Sequence, residues 1–535
     1  MSKLSTLQTV FQSFHNRGCI ADTTANIIPG LAKALSSSSS LPPSVYAGFD
    51  PTGPSLHLGH AAILLMLKRM QLLGLKPIAL IGGATALIGD PSGKREDRPL
   101  LSEDMVYQNS LGIKKSICEI LEFEENTHAI PVEKNTKGIL LNNAEFYKDM
   151  SIITFLRTIG RYARISTMLS KDSVKSRLQV SSSTSEPIGL SFTEFSYQLF
   201  QAADYAKLYQ QHNCILQIGG SDQWGNITTG IDLIKRSLSS SSSSNNQSNT
   251  CELTSDIHVH GLTVPLLTTA DGKKFGKTEG APIWLNTNLT SHHNFYQYLL
   301  RSEDKDLHKL LNLLTLYTEK EISDILIEHN KQPELKYGQL QLANAVITLF
   351  RNKEAMESAQ RSARILYAGT ALWSIPESST TGASSTSNLY LPQRALLSDI
   401  KVEDILSLCT SKTADTTSNT MSTSTIPYSR LSKTKLHGQP IVDILVSINA
   451  VSSKNQGRKL LESGGIYWNW ERISAKEGSW ISNSLSSTPT STSSTTTMNP
   501  YRTIDIAKDF LNQQVAVISI GKKKMFVIEC YNTDT

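Results

Sequence analysis

The chain has 535 residues and a formal net charge of +5, with 39% hydrophobic and 19% charged residues. A chain of this length is too long for a single compact hydrophobic core, so two to four domains are expected. The mild positive charge permits a polyanionic partner. No run approaches the roughly 20 uninterrupted apolar residues of a membrane helix, which argues against a transmembrane protein. Six scattered cysteines without a CxxC pair argue against a disulfide framework or a thiolate zinc site and favour a reducing compartment.

The N-terminal 21 residues contain no Asp or Glu, and Leu4, Leu7, Phe11 and Phe14 fall on one helical face. Two interpretations fit this pattern. One is a short mitochondrial targeting helix. The other is an amphipathic helix that packs on the first domain, and the two are compatible with each other.

Five tracts rich in Ser, Thr and Asn interrupt the chain. Such runs cannot bury enough apolar surface to offset the entropy of ordering the backbone, so they are predicted to be mobile loops and linkers. They occupy residues 36–40, 237–250, 374–388, 410–425 and 482–499.

Residues 1–236 and 251–285 alternate apolar, β-rich runs with helical patterns, which predicts a parallel α/β sheet. Strands are predicted at 45–49, 77–82 and 215–218, and glycines lie at or near the end of each. In open parallel sheets ligands bind beyond the carboxyl ends of the strands, so the chemistry is expected there.

The segment 45–60, VYAGFDPTGPSLHLGH, leads from the first strand through a Pro/Gly turn into a helix predicted over about 58–73. His57 and His60 are three residues apart and therefore lie on one side of the first helical turn. The helix N-terminus offers N–H groups to an anion, and Gly59 lets a flat group approach the backbone. The segment predicts a nucleotide-phosphate site, although two capping or surface histidines would give the same pattern.

A second cationic element is DGKKFGKT at residues 271–278. Three lysines and two glycines suit a mobile loop that neutralises charge developing on a pyrophosphate leaving group. Alone, this loop would be interpreted as a solvated turn. Together, HLGH and KFGKT resemble the paired signature of class I aminoacyl-tRNA synthetases.

The helical segment 192–205, FTEFSYQLFQAADY, carries Tyr197, Gln201 and Asp204 at positions i, i+4 and i+7 of one face. Polar residues at this spacing in an otherwise apolar helix are predicted to point together into a pocket. The alternative, a solvated polar stripe, is weakened by the aromatic and aliphatic neighbours in the same segment.

The strand end at 216–227, LQIGGSDQWGNI, suits close contact with a ribose and a substrate. These segments, together with PIALIGGATALIGDPSGK at 77–94, resemble bacterial and mitochondrial tyrosyl-tRNA synthetases almost word for word. The resemblance extends through the helices that follow and into the C-terminal unit, and only the Ser-rich tracts have no counterpart. Tryptophanyl-tRNA synthetases share neither GGSDQWGN nor the Tyr/Gln/Asp helix.

The resemblance implies a role for each matching residue around the amino-acid substrate. Tyr46 and Asp204 would hydrogen-bond the substrate phenol, a pair that phenylalanine would leave unsatisfied. The substrate ammonium would be held by Asp90, Tyr197 and Gln201. Gln223 would lie beside the substrate carboxylate.

The resemblance also implies the ATP contacts, and the substrate carboxylate itself attacks the α-phosphorus, so that no side chain acts as a nucleophile. Contacts that strengthen in the transition state would come from Thr52, His57 and His60. The nucleotide side would be lined by Gly48, Asp50, Gly220 and Asp222. The clamp on the departing pyrophosphate would be Lys94, Arg98, Lys274, Lys277 and Thr278.

Magnesium is expected to arrive with ATP, and no protein-held metal is expected. The pairs His258/His260 and His292/His293 could ligate a metal ion. They lack further ligands at zinc-site spacing and are interpreted as surface polar residues.

The C-terminal segment 440–473 resembles the small αL-type RNA-binding module of some ribosomal proteins and pseudouridine synthases. Lys454, Arg458 and Lys459 would face RNA phosphates, although ordinary exposed basic residues remain the alternative. Trp470 stands where a turn glycine is usual in the family. Tryptophan accepts a positive φ poorly, which places the hairpin and its RNA contact in question.

The predicted fold class is α/β, with three folded parts joined by a linker. These are a Rossmann-type parallel-sheet catalytic domain at 1–285 with an insertion at 237–250, an all-α anticodon-recognition domain at 286–372, a Ser/Thr-rich linker at 373–430, and a small α/β αL-type RNA-binding domain at 431–535 with an insertion at 482–499.

The implied activity is formation of tyrosyl-adenylate from L-tyrosine and ATP, followed by transfer to the terminal ribose of tRNA(Tyr). Family members are homodimers, and residues 150–169 with Phe192 correspond to their subunit contact. One alternative is a synthetase-fold RNA-binding protein that acts in intron splicing, and another is a regulator without activity. The polyserine insertions favour the mitochondrial matrix, with the cytoplasm as the alternative.

Overall fold

The computed structural model describes residues 3–37, 41–92, 101–121, 123, 136–178, 189–242, 258–272, 274–278, 281–367, 405–406, 426–469, 471–473, 504, 510–511, 514–520 and 524–531. Two units can be distinguished. Unit 1 comprises Met1–Thr290 and Tyr298–Lys353, and unit 2 comprises Ser291–Gln297 and Glu354–Thr535. No helix in the described ranges is long and apolar enough to cross a membrane.

Unit 1 begins with α1 (Lys3–Asn16), β1 (Asp22–Thr23) and α2 (Ile27–Ser36). The apolar face of α1 buries Leu7, Phe11 and Phe14, as its periodicity predicts. Leu4, which the same pattern placed on this face, is largely exposed because it lies in the first turn of the helix.

The remaining strands and helices of unit 1 alternate along the chain. They are β2 (Ser44–Phe49), α3 (Ala61–Leu72), β3 (Lys76–Ile81), α4 (Thr85–Ile88), α5 (Glu103–Cys118), β4 (Ile139–Asn142), α6 (Ala144–Tyr147), α7 (Ile152–Thr158), α8 (Ile165–Leu169), α9 (Asp172–Leu178), α10 (Phe192–His212), β5 (Cys214–Gly220), α11 (Trp224–Ser242), β6 (His260–Val264), β7 (Lys277–Thr278) and β8 (Ala281–Pro282). A single 3-10 turn, Leu58–His60, precedes α3.

Six strands form one sheet in the order β1-β6-β5-β2-β3-β4. All neighbours are parallel except β1 and β6, which are antiparallel. The predicted Rossmann-type parallel sheet is therefore confirmed, with a short antiparallel strand at one edge. The chain extends from β2 to β3 and β4 on one side and later places β5 and β6 on the other. This reversal creates a topological switch point between β2 and β5.

The sheet is covered by helices. Helices α10 and α11 pack together over the side chains of Tyr46, Ile78 and Leu80. Helix α3 packs along β2, β3, β5 and β6. As a result, every residue of β5 is buried, which is characteristic of a central parallel strand with both faces covered.

The helical pattern predicted after residue 290 is present. It forms α12 (His292–Leu300), α13 (Asp304–Leu314), α14 (Glu319–Lys331), α15 (Tyr337–Arg351) and α16 (Lys353–Tyr367). Helix α14 starts with a reciprocal capping box between Thr318 and Glu321, which satisfies backbone N–H groups at its N-terminus. In unit 1, α15 packs against both α13 and α14.

The structure corrects the prediction that residues 237–250 form a loop throughout, because α11 continues to Ser242. Buried Ile231 and Ile234 anchor the preceding turns of the helix. The Ser237 and Ser239 hydroxyls donate to the carbonyls of Ile234 and Lys235, which allows serine to continue a helix that has already been nucleated.

The interpretation of the paired histidines as surface residues is also wrong for His260 and His293, which are 6% and 8% exposed. His260 lies on β6, and its Nδ1 lies 3.3 Å from the Thr24 hydroxyl. Burial in the sheet is the main reason that the pKa of His260 falls to about 4. The ring is therefore neutral at physiological pH.

Unit 2 contains a second, smaller sheet with short helices. Its elements are β9 (Tyr428–Ser432), α17 (Lys433–Leu436), α18 (Ile441–Ser447), α19 (Lys454–Glu462), β10 (Ile466–Trp468), β11 (Glu471–Arg472), β12 (Val515–Ile520) and β13 (Lys524–Tyr531). The strand order is β11-β10-β12-β13-β9, and Trp468 is buried in the core beneath it. Asn469 begins the β10–β11 turn at a φ of 47°, whereas Trp470 lies outside the described residues.

Candidate active site

The candidate site lies at the switch point between β2 and β5. Asp50 follows β2, and Ser221–Gln223 form a 3-10 turn directly after β5. A Cβ atom built on Gly48 would meet no other atom within 4 Å, and the residue is exposed. The carboxyl end of β2 is thus open to a flat group, which is what the nucleotide side of the predicted site requires.

The HLGH turn orients both histidine rings through its own backbone. His57 Nδ1 accepts a 3.0 Å hydrogen bond from Gly59 N, and His60 Nδ1 accepts a 3.3 Å bond from His57 N. The two ring centroids are 4.1 Å apart. Because both Nδ1 atoms accept, each neutral ring carries its proton on Nε2, where it can donate to a phosphate oxygen.

The charge state of His60 follows from its surroundings. The residue retains some exposed surface, but burial of the imidazole, and next the proximity of His57, lower its pKa to about 3. His60 is therefore a neutral donor at physiological pH. A neutral donor stabilises developing phosphate charge without requiring a proton to be taken up first.

The KFGKT loop lies against the HLGH turn. Gly276 has a φ of 91°, and a Cβ atom at this position would come within 3.0 Å of Gly59 N. The Gly276 N–H donates to the Tyr298 hydroxyl at 2.7 Å, and Phe275 packs edge-on against the Tyr298 ring. The two motifs thus meet backbone to backbone, and glycine at 276 permits this contact.

The structure brings together only some of the predicted clamp. Lys274 forms a backbone bridge with Thr268. Burial and, next, Asp90 raise the pKa of Asp222, and the nearby Lys274 offsets part of that rise. Lys277 and Thr278 form β7, whose backbone alone is described. Lys94 and Arg98 lie outside the described residues.

Tyr46 and Asp204, the predicted phenol contacts, lie deep between β2 and α10. Tyr46 is 1% exposed, and its hydroxyl has no hydrogen-bond partner among the residues the structure describes. Burial, with a further contribution from Asp204, raises the pKa of Tyr46 well above its ordinary value. A buried hydroxyl without a partner is costly, and a ligand hydroxyl placed beside it would remove that cost.

Asp204 is held by two residues that the sequence did not predict for the site. Tyr147 donates to Asp204 Oδ1 at 2.6 Å, and Asn143 Nδ2 donates to Oδ2 at 2.9 Å. Burial raises the pKa of Asp204 to about 7, and these two hydrogen bonds offset part of the rise. Each carboxylate oxygen has two lone pairs, so Asp204 can also accept a bond from a ligand.

A hydrogen-bonded chain links this end of the pocket to the predicted ammonium contacts. Asn143 also donates to Thr85 Oγ1 at 3.1 Å, and Thr85 donates to Asp50 Oδ1 at 2.6 Å. The second oxygen of Asp50 accepts from the Tyr197 hydroxyl at 2.7 Å. Asp50, which was assigned to the nucleotide side, therefore joins the nucleotide and amino-acid parts of the site.

The ammonium end of the pocket is negatively charged. Burial raises the pKa of Tyr197 well above its ordinary value, and Asp50, Asp90 and Asp204 raise it further. The Asp50 and Asp90 carboxylates near this hydroxyl create a field that favours a cation. Gln201, on the same face of α10, has a buried Oε1 without a partner among the described residues, so an acceptor is available there.

Gln223 is hydrogen-bonded to Asp90. Gln223 Nε2 donates to Asp90 Oδ2 at 2.8 Å, and the Ser92 N–H donates to Asp90 Oδ1 at 2.9 Å. Asn226 donates in turn to Gln223 Oε1. In the part of the chain that the structure describes, no group of three or more His, Cys, Asp or Glu side chains could hold a metal ion.

The predicted RNA contacts lie in unit 2 on one helix. Lys454, Arg458 and Lys459 are all exposed on α19. Lys454 forms a 2.8 Å ion pair with Asp443, which neutralises part of its charge. The three side chains make this face of α19 basic.

Comparison with known proteins shows the family to which the chain belongs. The family model of class I tRNA synthetases for tryptophan and tyrosine matches residues 39–368. The tyrosine–tRNA ligase 1 of Bacillus licheniformis is 35% identical over 485 residues, covering 91% of this chain and 92% of the relative. The tyrosine–tRNA ligase of Oceanobacillus iheyensis is 33% identical over 520 residues, covering 97% and 98%.

Two solved fungal structures, both C-terminally truncated mitochondrial tyrosyl-tRNA synthetases, are also similar. The Coccidioides posadasii enzyme has a TM-score of 0.54 at 30% identity, covering 67% of this chain and 91% of that one. The Aspergillus nidulans enzyme has a TM-score of 0.55 at 28% identity, covering 68% and 97%. The chain belongs to the tyrosine–tRNA ligase family of class I tRNA synthetases.

Proposed function

We propose that this chain activates L-tyrosine with ATP to form tyrosyl-adenylate and pyrophosphate, and then transfers the tyrosyl group to the 3′-terminal ribose of tRNA(Tyr). The observation that carries the substrate assignment is the buried Tyr46 hydroxyl without a described partner, close to Asp204. A phenol between these groups can donate to the carboxylate and bond the hydroxyl. A substrate without a hydroxyl leaves both unsatisfied.

The proposed mechanism relies on positioning and charge. Asp50 and Asp90 near Tyr197 attract the substrate ammonium, which directs the tyrosine carboxylate toward the α-phosphorus of ATP. His57 and His60 donate Nε2–H groups to phosphate oxygens as the pyrophosphate leaves. Lys274 adds positive charge beside them. Mg²⁺ would accompany ATP as a ligand of its phosphates.

Tyrosine-dependent ATP–pyrophosphate exchange tests this proposal directly. We expect exchange with tyrosine and negligible exchange with phenylalanine or tryptophan at equal concentration. Equal exchange with phenylalanine would contradict the phenol assignment, and no exchange with any amino acid would contradict enzymatic activity. A synthetase-fold RNA-binding protein that acts only in intron splicing, the alternative, would need neither the buried phenol pocket nor the neutral His60 donor.

We also propose that the chain is a homodimer through an apolar face of unit 1. The face is built from α7, α8 and the start of α10, and its large side chains are exposed. They are Ile152, Ile153, Leu156, Ile165 and Phe192, the last of which is 78% exposed. An apolar surface of this kind suits a self-complementary contact with a second copy. Sedimentation of wild type and Ile153→Asp tests this, and an unchanged mass would contradict it.

We propose that the basic face of α19 contacts the phosphates of tRNA. We also propose that the enzyme acts in the mitochondrial matrix. The two fungal structures described as mitochondrial enzymes support this compartment, whereas the bacterial relatives, at 35% and 33% identity, do not distinguish it. Fractionation of cells that express the full chain with a C-terminal tag is the corresponding test.

A further inference from the structure

A short segment after the KFGKT loop is hydrogen-bonded to both the KFGKT loop and the HLGH turn. We call residues 283–286 the strap. The Ile283 N–H donates to the Gly276 carbonyl at 2.8 Å, and the Ile283 carbonyl accepts from the Leu58 N–H at 2.8 Å. The Leu285 N–H donates to the Leu56 carbonyl at the same distance. The strap is therefore bonded to both signature motifs.

The middle of the strap lies against the first histidine of the turn. Trp284 pairs with His57 in an antiparallel bridge, and their ring centroids are 6.2 Å apart. The Trp284 N–H donates to the Thr290 hydroxyl at 3.0 Å. A shift of the strap would thus move His57 and Gly276 relative to each other.

Arg351, the last residue of α15, holds the strap from the side. It is 6% exposed, its Nε donates to the Leu285 carbonyl at 3.2 Å, and an Nη donates to the Trp284 carbonyl at 3.0 Å. Two donors of one planar guanidinium fix two consecutive carbonyls at once, which a single ammonium cannot reproduce. Hydrogen bonds from a charged donor are roughly twice as strong as neutral ones.

The charge of Arg351 persists in this buried position. Burial lowers the pKa of the guanidinium to about 9, and the nearby Glu119 carboxylate opposes that fall. Arg351 is therefore protonated at physiological pH and makes charged bonds to the strap.

We propose that Arg351 is a positioning residue for adenylate formation, because through the strap it sets the separation between the histidine turn and the lysine loop. The inference rests on the proposed function and adds a residue that belongs to neither motif. A displacement of about 1 Å that originates far from the chemistry can slow a reaction about 100-fold. Asp204 is hydrogen-bonded to Tyr147 and Asn143, which lie outside the strap, so tyrosine affinity should depend little on the strap.

Arg69 offers a matched control. It is also a buried arginine of unit 1, and its guanidinium also donates to two backbone carbonyls, those of Asn312 and Thr315. Its carbonyl partners lie at the end of α13 and not in the strap. Arg69→Ala therefore removes an equivalent structural contact without loosening residues 283–286.

The test compares Arg351→Ala, Arg351→Lys and Arg69→Ala in the full chain. Stopped-flow adenylate formation is normalised to active sites, and equilibrium tyrosine binding and Tm are measured in parallel. We expect Arg351→Ala to slow adenylate formation by about 10- to 100-fold with tyrosine affinity within about 2-fold of wild type. Arg351→Lys should lie between, and Arg69→Ala should lower Tm while leaving the rate per site nearly unchanged.

Hydrogen exchange supplies a readout that does not depend on activity. In Arg351→Ala and Arg351→Lys, the amides of Leu58, Ile283 and Leu285 should exchange faster than in Arg69→Ala. Equal exchange at these amides, or equal rates per site in the two alanine variants, would overturn the positioning role. If Arg351→Ala does not fold, Arg351→Lys decides by the same criteria. A wild type without tyrosine-dependent ATP–pyrophosphate exchange would instead refute the proposed function, and the amide comparison would still decide whether Arg351 holds the strap.

Discussion

The Tyr147 hydroxyl donates a 2.6 Å hydrogen bond to Asp204, the carboxylate at the closed end of the substrate pocket. The bond orients one carboxylate oxygen and leaves a second lone pair on it for a ligand. Tyr147 thereby acts on the substrate through Asp204. Specificity for the phenol is thus expected to depend on more than the two residues in contact with it.

Replacement of Tyr147 tests this dependence. Tyr147→Phe should weaken tyrosine binding by roughly 0.5–1.5 kcal/mol and leave the weaker binding of phenylalanine unchanged, because only the phenol uses Asp204. Tyr317→Phe, which removes a half-buried hydroxyl elsewhere in unit 1, is the control. Isothermal titration with both amino acids measures the effect, and equal losses in the two variants would argue against a role for Tyr147.

Removal of the unpartnered Tyr46 hydroxyl is expected to maintain or raise stability but to lower specificity. Tyr46→Phe removes a buried hydroxyl without a described partner, so the ligand-free protein should be as stable as wild type or more stable. Discrimination between tyrosine and phenylalanine should fall roughly 2- to 10-fold, and it should also fall in Asp204→Asn. Exchange assays and thermal denaturation measure the two effects, and unchanged selectivity in both variants would remove the phenol assignment.

The pKa of Asp204 predicts how stability depends on pH. Burial raises this pKa to about 7 in the folded protein, against about 4 in the unfolded chain. The folded state therefore binds the proton more tightly. This contribution to stability is complete below about pH 4 and is lost as pH rises through about 7. Relative to wild type, Asp204→Asn should gain stability of the order of 1–4 kcal/mol between pH 4 and pH 8.

Urea unfolding of both proteins at several pH values measures the difference between their free energies of unfolding. The contributions of other groups, such as Glu119, are common to both proteins and cancel in this difference. A wild-type-minus-variant difference that does not change with pH would show that Asp204 titrates normally.

The two signature motifs should act mainly in the transition state. His57→Ala, Lys274→Ala and Lys277→Ala are each expected to slow adenylate formation by roughly 10²–10³, the loss typical of one preorganised contact to developing charge. Tyrosine affinity should hardly change, because interactions made only in the transition state leave ground-state binding intact. Stopped-flow rates and tyrosine titrations provide both numbers. Lost affinity at an unchanged rate would assign these residues to ground-state binding.

The basic face of α19 should set the salt dependence of tRNA binding. Replacing Lys454, Arg458 and Lys459 by alanine should weaken binding and reduce the slope of log K against log salt, by about 0.7–0.9 for each phosphate that is no longer neutralised. Because Lys454 is paired with Asp443, its own contribution to the slope should be reduced. The control exchanges Lys and Arg at the same positions, and equal slopes in both triple variants would exclude an electrostatic role for this face.

Local patterns predicted the parts of the site that lie on one continuous segment. The strand, turn and helix of HLGH and the spacing of Tyr197, Gln201 and Asp204 are properties of neighbouring residues, and they were assigned correctly to their elements. Thr85, Asn143 and Tyr147 were missed because their roles depend on β4 lying beside β3, which is a long-range relationship. The sequence contains one signal for them: Asn142 and Asn143 lie at the carboxyl end of the parallel strand β4, where site residues are expected.

Errors in the sequence predictions share a related cause. His260 was expected at the surface because histidine is usually exposed, but its position on β6 between covered faces decides its burial. Residues 237–242 were expected in a loop because of their serine-rich composition, but the buried anchor of α11 extends the helix through them. In both cases tertiary packing overrides a preference that is correct on average.

The backbone contact between Gly59 and Gly276 affects the order in which the parts of the site form during synthesis. Gly59 lies near the start of the chain, whereas Gly276 follows β6, the last strand of the six-stranded sheet in chain order. Contacts between residues so distant in sequence form late, because a long loop must close first. During synthesis the pocket around Tyr46 and Asp204 can form once β5 has been added. The phosphate end requires the loop and the strap, so a growing chain acquires the elements that bind tyrosine before those that activate it.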